Sequence, residues 1–294
     1  MPSKLLTAHQ VEQVLALAAA AAAHDGVDPL NEEARFALRD GSAEHFGHYR
    51  RGELAGYLIR QPHHRTAQLV VAPAHRRSGI GTDLLGRLRA WSASVPARSG
   101  DGPDGLWAFG YLPAAQGFAS AHGLVPVRGL LVMSRELDDP LPTTVPDGLT
   151  LRPFRPDDAP DLLAVNALAF AHHPEQGSLD AAGLAARIGE GWFDPSGLIL
   201  GHDAAGPAGF HWTKRVDAAT GEVYVLAVAP RAQGRGYGRA LLNAGLAHLR
   251  ANGMRRVLLY VDMADEVAVR MYESAGFRVA NRDLLLAPTP QEKP

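Results

Sequence analysis

The chain has 294 residues, 46% of them hydrophobic and 20% charged, a soluble globular composition long enough for two domains with cores of their own. A formal net charge of −2 gives no general attraction to nucleic acid or to an anionic membrane. The absence of cysteine excludes a disulfide framework and a thiolate metal site.

The first apolar stretch, Val14–Ala23, is too short to span a bilayer and is nearly all alanine. No basic segment precedes it, so it reads as an amphipathic surface helix rather than a secretion signal, and a cytoplasmic protein is the expectation. Strand-like Leu54-Ala-Gly-Tyr-Leu-Ile follows, then the turn Val71-Ala-Pro-Ala-His-Arg-Arg-Ser-Gly-Ile-Gly81 and a helical segment carrying Leu84-Leu85. Leu106-Trp-Ala-Phe and Gly123-Leu124 complete this half. Asp138–Gly148 contains three prolines and no apolar periodicity, so it reads as a linker.

Leu149-Thr-Leu-Arg-Pro-Phe then starts a strand, and Pro156–Asp161 opens a helix through Leu162–Phe170. Strands are expected at Ala208–Thr213 and Glu222–Val228, joined by a turn over Asp217–Gly221. A helix over Arg239–Ala251, a strand over Val257–Asp262, a helix over Glu266–Ala275 capped by Gly276, and a strand over Arg278–Leu286 finish the chain. The result is a mixed α/β sheet.

The two halves repeat each other. Val71–Gly81 aligns without gaps on Val228-Ala-Pro-Arg-Ala-Gln-Gly-Arg-Gly-Tyr-Gly238, and each runs into a helix with a Leu-Leu pair. Gly56 matches Gly209, and Gly123-Leu124 matches Gly276-Phe277. Two homologous domains follow: residues 1–139, a linker over 140–148, and residues 149–294.

Gln233-Gly-Arg-Gly-Tyr-Gly238 lies between a strand and a helix. Glycines there let the backbone turn tightly and present successive N–H groups, and the helix start adds a positive dipole end, which together suit a pyrophosphate. A plain strand-to-helix turn would use the same glycines. A Walker loop is excluded, since Arg239-Ala240 stands where Lys-Ser/Thr is required, and the glycine spacing does not fit a dinucleotide fingerprint.

This turn after Val-Ala-Pro, with the later Ala268-Val-Arg-Met-Tyr272-Glu-Ser-Ala-Gly276-Phe277, resembles the two signatures of the GNAT acetyltransferase superfamily. The resemblance implies two tandem GNAT acyltransferase domains. It places acetyl-CoA against the backbone of Leu226, Ala227 and Val228 and against Gln233, Gly234, Arg235, Gly236, Tyr237, Gly238 and Arg239. Asp265, Glu266, Val267, Ala268, Val269 and Arg270 complete that cofactor site. Asp265-Glu266 stands where the pattern usually has Asn; Asp caps a helix equally well, but carboxylates beside CoA phosphates repel.

Tyr272 falls where the family's general acid protonates the CoA sulfur, and Glu222 is placed to take the amine proton through water. In the first half Leu69, Val70 and Val71 with Arg76, Arg77, Ser78, Gly79, Ile80 and Gly81 would hold a second acetyl-CoA. Ala119 stands at the place of Tyr272, and Gln68 or Thr66 near that of Glu222, so that half is expected to be non-catalytic.

Further segments narrow the resemblance. Asp25–Pro29, Val125–Met133, Ala171-His-His-Pro-Glu-Gln-Gly177, Glu190–Leu200, Gly209–Lys214 and Gly221–Val225 are similar to the mycothiol synthase family of actinobacteria over nearly the whole chain. That family acetylates the cysteinyl amine of a cysteine–glucosamine–inositol conjugate. The likeness implies an acceptor site of Glu32, Glu175, Lys214, Glu222 and Tyr260. Carboxylates and one lysine suit a polyol amine; Lys214 is the only lysine away from the chain ends. Other amines (an aminoglycoside, a polyamine, a peptide) and a non-catalytic acetyl-CoA module remain open. No metal is expected, His172-His173 and His63-His64 reading as structural. Tandem domains that bury against each other make a monomer the expectation.

Overall fold

The computed structural model describes residues 2–94, 104–139, 141–142, 144–171, 177 and 179–289. In chain order the first half runs α1 (Ala8–Asp25), α2 (Glu32–Asp40), β1 (Glu44–Arg50), β2 (Glu53–Gln61), β3 (Thr66–Val71), α3 (Ile80–Ser94), β4 (Gly105–Ala108), α4 (Pro113–Ala121) and β5 (Leu124–Glu136). The second half runs β6 (Thr150–Pro153), α5 (Ala159–Ala169), α6 (Ala181–Ile188), β7 (Leu198–Asp203), β8 (Gly206–Arg215), β9 (Thr220–Val228), α7 (Tyr237–Ala251), β10 (Arg256–Asp262), α8 (Glu266–Ser274) and β11 (Arg278–Pro288). Among the described residues no helix is long and apolar enough to cross a membrane.

The chain divides into two compact units, Met1–Leu130 with Arg282–Pro294, and Leu131–Asn281. The division does not follow the expected halves. It cuts through β5 and β11, so the end of the chain belongs with the first unit, and Leu131–Asp139 with the second. The cause is strand pairing. Leu284, Leu285 and Leu286 of β11 pair antiparallel with Ala108, Trp107 and Leu106 of β4, while Leu131, Met133 and Leu137 join the core of Val257, Leu259 and Phe277.

In the first unit the strand order is β1-β2-β3-β4-β11, antiparallel except for the parallel pair β3–β4. α1 begins in a capping box, Thr7 and Gln10 each satisfying the other's backbone N–H, and ends at Gly26 with φ 73°. Its residues Val11, Val14, Leu17, Ala18 and Ala21 recur at helical spacing and pack with Leu30, Tyr57, Ile59 and Val70. The expected surface helix is therefore longer than Val14–Ala23, and one stripe of it is core.

In the second unit the order is β5-β10-β9-β8-β7-β6, with β9 and β10 parallel and β6 to β9 an antiparallel meander. α7 packs closely on β8 and β9. A Cβ on Gly209 would lie 2.5 Å from the Ala227 carbonyl oxygen and 2.9 Å from Leu241, and one on Gly245 would strike the His211 ring. Glycine at both positions is what lets helix and strands approach. α7 starts two residues before the expected Arg239, because Gly236 takes φ 79° as its N-cap. Gly276 (φ 86°) stands one residue beyond the Ala275 cap of α8.

Candidate active site

β9 and β10 run parallel through only three pairs: Thr220 with Arg256, Gly221 with Val257, and Glu222 with Leu258. Both strands continue, β9 to Val228 and β10 to Asp262, with no further pair between them. Beyond Glu222 they diverge, and the backbone of Val223–Val228 faces the opening cleft. Leu226, Ala227 and Val228 lie there, in the positions expected to receive a thioester.

The registry on the other side of β9 explains which side chains share the site. Trp212 pairs with Val225 but Thr213 with Val223, so Tyr224 is an extra residue in a β-bulge. The bulge resets the alternation. Lys214 and Trp212 on β8 stand on the face of Glu222 and Tyr224, whereas Val223 and His211 stand on the face covered by α7. Lys214 is paired directly with Glu222 in register.

The cleft leads to the glycine turn. Gly234 and Gly236 have φ of 74° and 79°, a left-handed backbone that glycine adopts without strain. Gln233 Nε2 donates to the Val228 carbonyl over 3.2 Å and closes the turn onto the end of β9. Arg235 is held by Asp203 at 3.0 Å, its guanidinium 4.7 Å from the centre of the Tyr237 ring. Arg231 donates to the same Asp203 at 2.9 Å. Arg239 donates to the Met271 carbonyl at 3.1 Å and to Ser274 Oγ, tying α7 to α8. Backbone N–H groups at a helix start, flanked by arginines, fit a diphosphate. A cavity of about 520 Å³ opens here, bounded by Gly236, Arg239, Ser274 and, from the connecting segment, Pro142, Thr144 and Pro146.

Tyr272 on α8 is 7% exposed, with its ring edge-on to Phe277 at 5.6 Å. Burial, and then the Asp265 carboxylate, push its hydroxyl well above the ordinary tyrosine range, so it stays protonated at neutral pH. Asp265 caps α8, accepting from Ala268 N at 2.9 Å. Glu266 and Arg270 pair along the exposed side of that helix at 2.9 Å, and Val267 is 73% exposed. Ala268 and Val269 pack against the core that holds Tyr272.

Of the expected acceptor residues, Lys214 and Glu222 are together, and Tyr260 lies on β10 two residues beyond Leu258, half exposed. Glu32 begins α2 in the first unit. Glu175 and the pair His172-His173 lie outside the described residues. Reading the sequence alone missed Trp192 and Tyr224: the Lys214 ammonium sits 4.9 Å from the centre of the Trp192 ring and 5.0 Å from that of Tyr224. An aromatic two residues after Glu222 was the available signal, since alternation along a strand puts it on the same side; Trp192 comes from a distant segment and leaves no such mark.

The first unit repeats the architecture with different side chains. β3 and β4 pair through Thr66 with Gly105, Ala67 with Leu106 and Gln68 with Trp107; β3 then continues past β4 through Leu69, Val70 and Val71, still paired with β2. A cavity of about 590 Å³ follows, lined by those three residues and by Arg76, Arg77, Gly79, Ile80 and Gly81 of the turn. Ser78 closes that turn by donating to the His75 carbonyl. Arg76 takes a bidentate grip on Asp25 at 2.7 and 2.6 Å, which holds the Asp25 carboxyl below its ordinary range.

Of the two residues expected near the position of Glu222, Thr66 is buried, and Gln68 is fully buried with its amide consumed: Oε1 accepts from Asn31 N, and Nε2 donates to Asn31 Oδ1 and Gln61 Oε1. Ala119, at the position of Tyr272, is buried on α4. His64 contacts Glu33 at 2.8 Å, and no cluster of metal-ligating side chains occurs among the described residues.

The acetyltransferase (GNAT) family model matches residues 11–98 and again 170–277, and the paired splayed clefts with glycine turns have the same double form. The chain belongs to the GNAT acetyltransferase family, whose members use acetyl-CoA. It is similar, at 47% identity over 92% of its length and 91% of the relative's, to mycothiol acetyltransferase of Thermomonospora curvata. The protein of the same name from Propionibacterium freudenreichii is 43% identical over 96% of this chain and 90% of its own. Among solved structures, a GCN5-related N-acetyltransferase from Sphaerobacter thermophilus superposes with a TM-score of 0.71, covering 96% of this chain and 93% of that one at 24% identity. A tandem GNAT protein from the clavulanic acid biosynthesis pathway gives 0.69, with 98% of each chain covered at 19% identity. These last two likenesses speak for the fold.

Proposed function

We propose that the chain acetylates the cysteinyl amine of a cysteine–glucosamine–inositol conjugate, the step that completes mycothiol, and does so in its second unit. The observation that carries the reading is the parting of β9 and β10 at Glu222, which opens a cleft between a carboxylate and a glycine turn. Leu226, Ala227 and Val228 would hold acetyl-CoA, and residues 233–239 would take its diphosphate. The backbone of β9 donates to the thioester carbonyl, where charge builds in the transition state.

Glu222 accepts the proton that the ammonium must lose, through a water, and the amine nitrogen then attacks the carbonyl carbon. As the C–S bond breaks, Tyr272 gives its proton to the sulfur, and the second proton shed by the new amide nitrogen passes through water to restore the tyrosine hydroxyl. Lys214, Glu222, Tyr260 and, from outside the described residues, Glu175 bind the acceptor. Asp265 serves the cofactor site through its cap. The first unit holds a second acetyl-CoA in its 590 Å³ cavity and does not turn it over, since Gln68 and Ala119 supply neither base nor acid. We place the protein in the cytoplasm as a monomer.

The test is an acceptor panel followed by CoA-thiol release. Release with the cysteinyl glucosaminyl-inositol and not with aminoglycosides, polyamines or peptides is expected. Equal release with those amines would replace the acceptor, and no release with any would make the chain a non-catalytic acetyl-CoA-binding module.

A further inference from the structure

Lys214 is held in a way that a surface lysine is not. Its ammonium lies over two rings at once, 4.9 Å from the centre of Trp192 and 5.0 Å from that of Tyr224. The rings are themselves fixed. Trp192 meets Tyr224 edge-on at 5.0 Å, and Tyr224 meets Trp212 edge-on at 5.4 Å. Trp212 is fully buried and braced by Phe193 at 5.9 Å. Arg187 Nε donates to the Tyr224 hydroxyl at 2.8 Å while its Nη1 donates to the Gly183 carbonyl, so α6 also secures the second ring. Alternation along β9 puts Tyr224 on the face of Glu222, which pairs directly with Lys214 in register.

We propose that Trp192 and Tyr224 are positioning residues for the acceptor: their faces seat the Lys214 ammonium beside Glu222, where it donates to the hydroxyls of a polyol amine. The proposal rests on the reading of the chain as an acetyltransferase for such an acceptor. A ring face attracts an ammonium through its quadrupole and fixes where it sits. The seat also removes rotamer freedom from a long flexible side chain before substrate arrives, which lowers the entropy lost on binding. A fixed positive charge next to the reacting amine further favours its neutral, nucleophilic form.

The test compares the full-length protein with Trp192→Phe, Trp192→Leu, Lys214→Met and the Trp192→Leu/Lys214→Met double variant. Acceptor and acetyl-CoA are titrated separately by thiol release. Trp192→Leu keeps apolar bulk and loses the quadrupole, so acceptor KM should rise about 10-fold, with Phe intermediate and acetyl-CoA KM within about twofold. The double variant should be no worse than Lys214→Met alone, because the ring acts through the ammonium. Additive losses in the double variant, or an acceptor KM unmoved by Trp192→Leu, would overturn the proposal.

A second readout needs no turnover. With only three lysines in the chain, the ε-CH₂ signal of Lys214 in a lysine-labelled sample should be displaced upfield by the rings relative to Lys4 and Lys293, and return in Trp192→Leu. A Lys214 signal at the solvated position would sink the seat itself. A displaced signal with no turnover of the cysteinyl glucosaminyl-inositol would instead overturn the acceptor reading and leave the geometry standing.

Discussion

Replacing Tyr272 with Phe separates what the fold uses from what the chemistry uses. The fold uses the ring, edge-on to Phe277 at 5.6 Å inside the second unit's core. Phe keeps that shape, so stability should move by less than about 1 kcal/mol. The chemistry uses the hydroxyl. Burial holds it protonated far above neutral pH, so it is a donor throughout the working range. A donor aimed at charge that develops only in the transition state contributes about 3–4 kcal/mol, or about 10²- to 10³-fold in kcat. Because the sulfur gains charge only as the C–S bond breaks, the loss should fall on kcat, with acetyl-CoA KM within about twofold. Thiol release at saturating acceptor, with a thermal melt of the same sample, measures both. A kcat within about threefold of the parent in a folded Tyr272→Phe protein would refute the assignment.

Four further outcomes are expected. Glu222→Ala should lower kcat about 10²-fold or more while acetyl-CoA KM is retained; unchanged turnover would remove Glu222 as base. Gly245→Ala would drive a methyl into the His211 ring. Overpacking of about 3 kcal/mol against about 1 kcal/mol of helix propensity leaves a net loss of about 2, so the melting temperature should fall about 4–8 °C; an unchanged value would mean that the ring has room to move.

His211 is fully buried and donates Nδ1 to the Leu241 carbonyl at 2.9 Å; burial lowers its pKa from 6.5 to about 4. The unfolded chain therefore binds the extra proton first, and the stability present above pH 6.5 should be lost as pH falls toward 4, about 2 kcal/mol of it by pH 5. His211→Gln should flatten that part of a urea-denaturation series, and a slope that survives it would assign the effect elsewhere. Finally, residues 1–139 and 149–294 made separately should both fail to melt cooperatively, since the first lacks Leu284–Leu286 and the second lacks Leu131, Met133 and Leu137; a cooperative melt of either would show that the missing strand is dispensable.

Much of this was legible in the residues. The repeat and both glycine turns are local patterns of short range, and they read directly. The mixed α/β order and the helix after each turn follow from period and caps. Features set by pairing between distant segments did not read. Nothing around Tyr224 announces a bulge, because any residue can be the extra one, yet that single insertion sets Val225 opposite Trp212 and fixes the register from there to Val228. The exchange of β5 and β11 between units is equally silent, as alternation in Leu124–Glu136 and Arg278–Pro288 says that a strand forms, not which neighbour it joins. Asp203, which gathers Arg231 and Arg235, lies at a hairpin end where an acidic residue is commonplace.

Gln68 shows how one amide can lock a strand to a helix start. It carries both donors and acceptors, and it uses them to fasten β3 to the start of α2 and to Gln61. A carboxylate at that position would confront Asn31 Oδ1, which cannot turn away without abandoning Ala34 N, the group that it caps. The side chain is mortar between elements, and Gln68→Glu would leave a less stable protein.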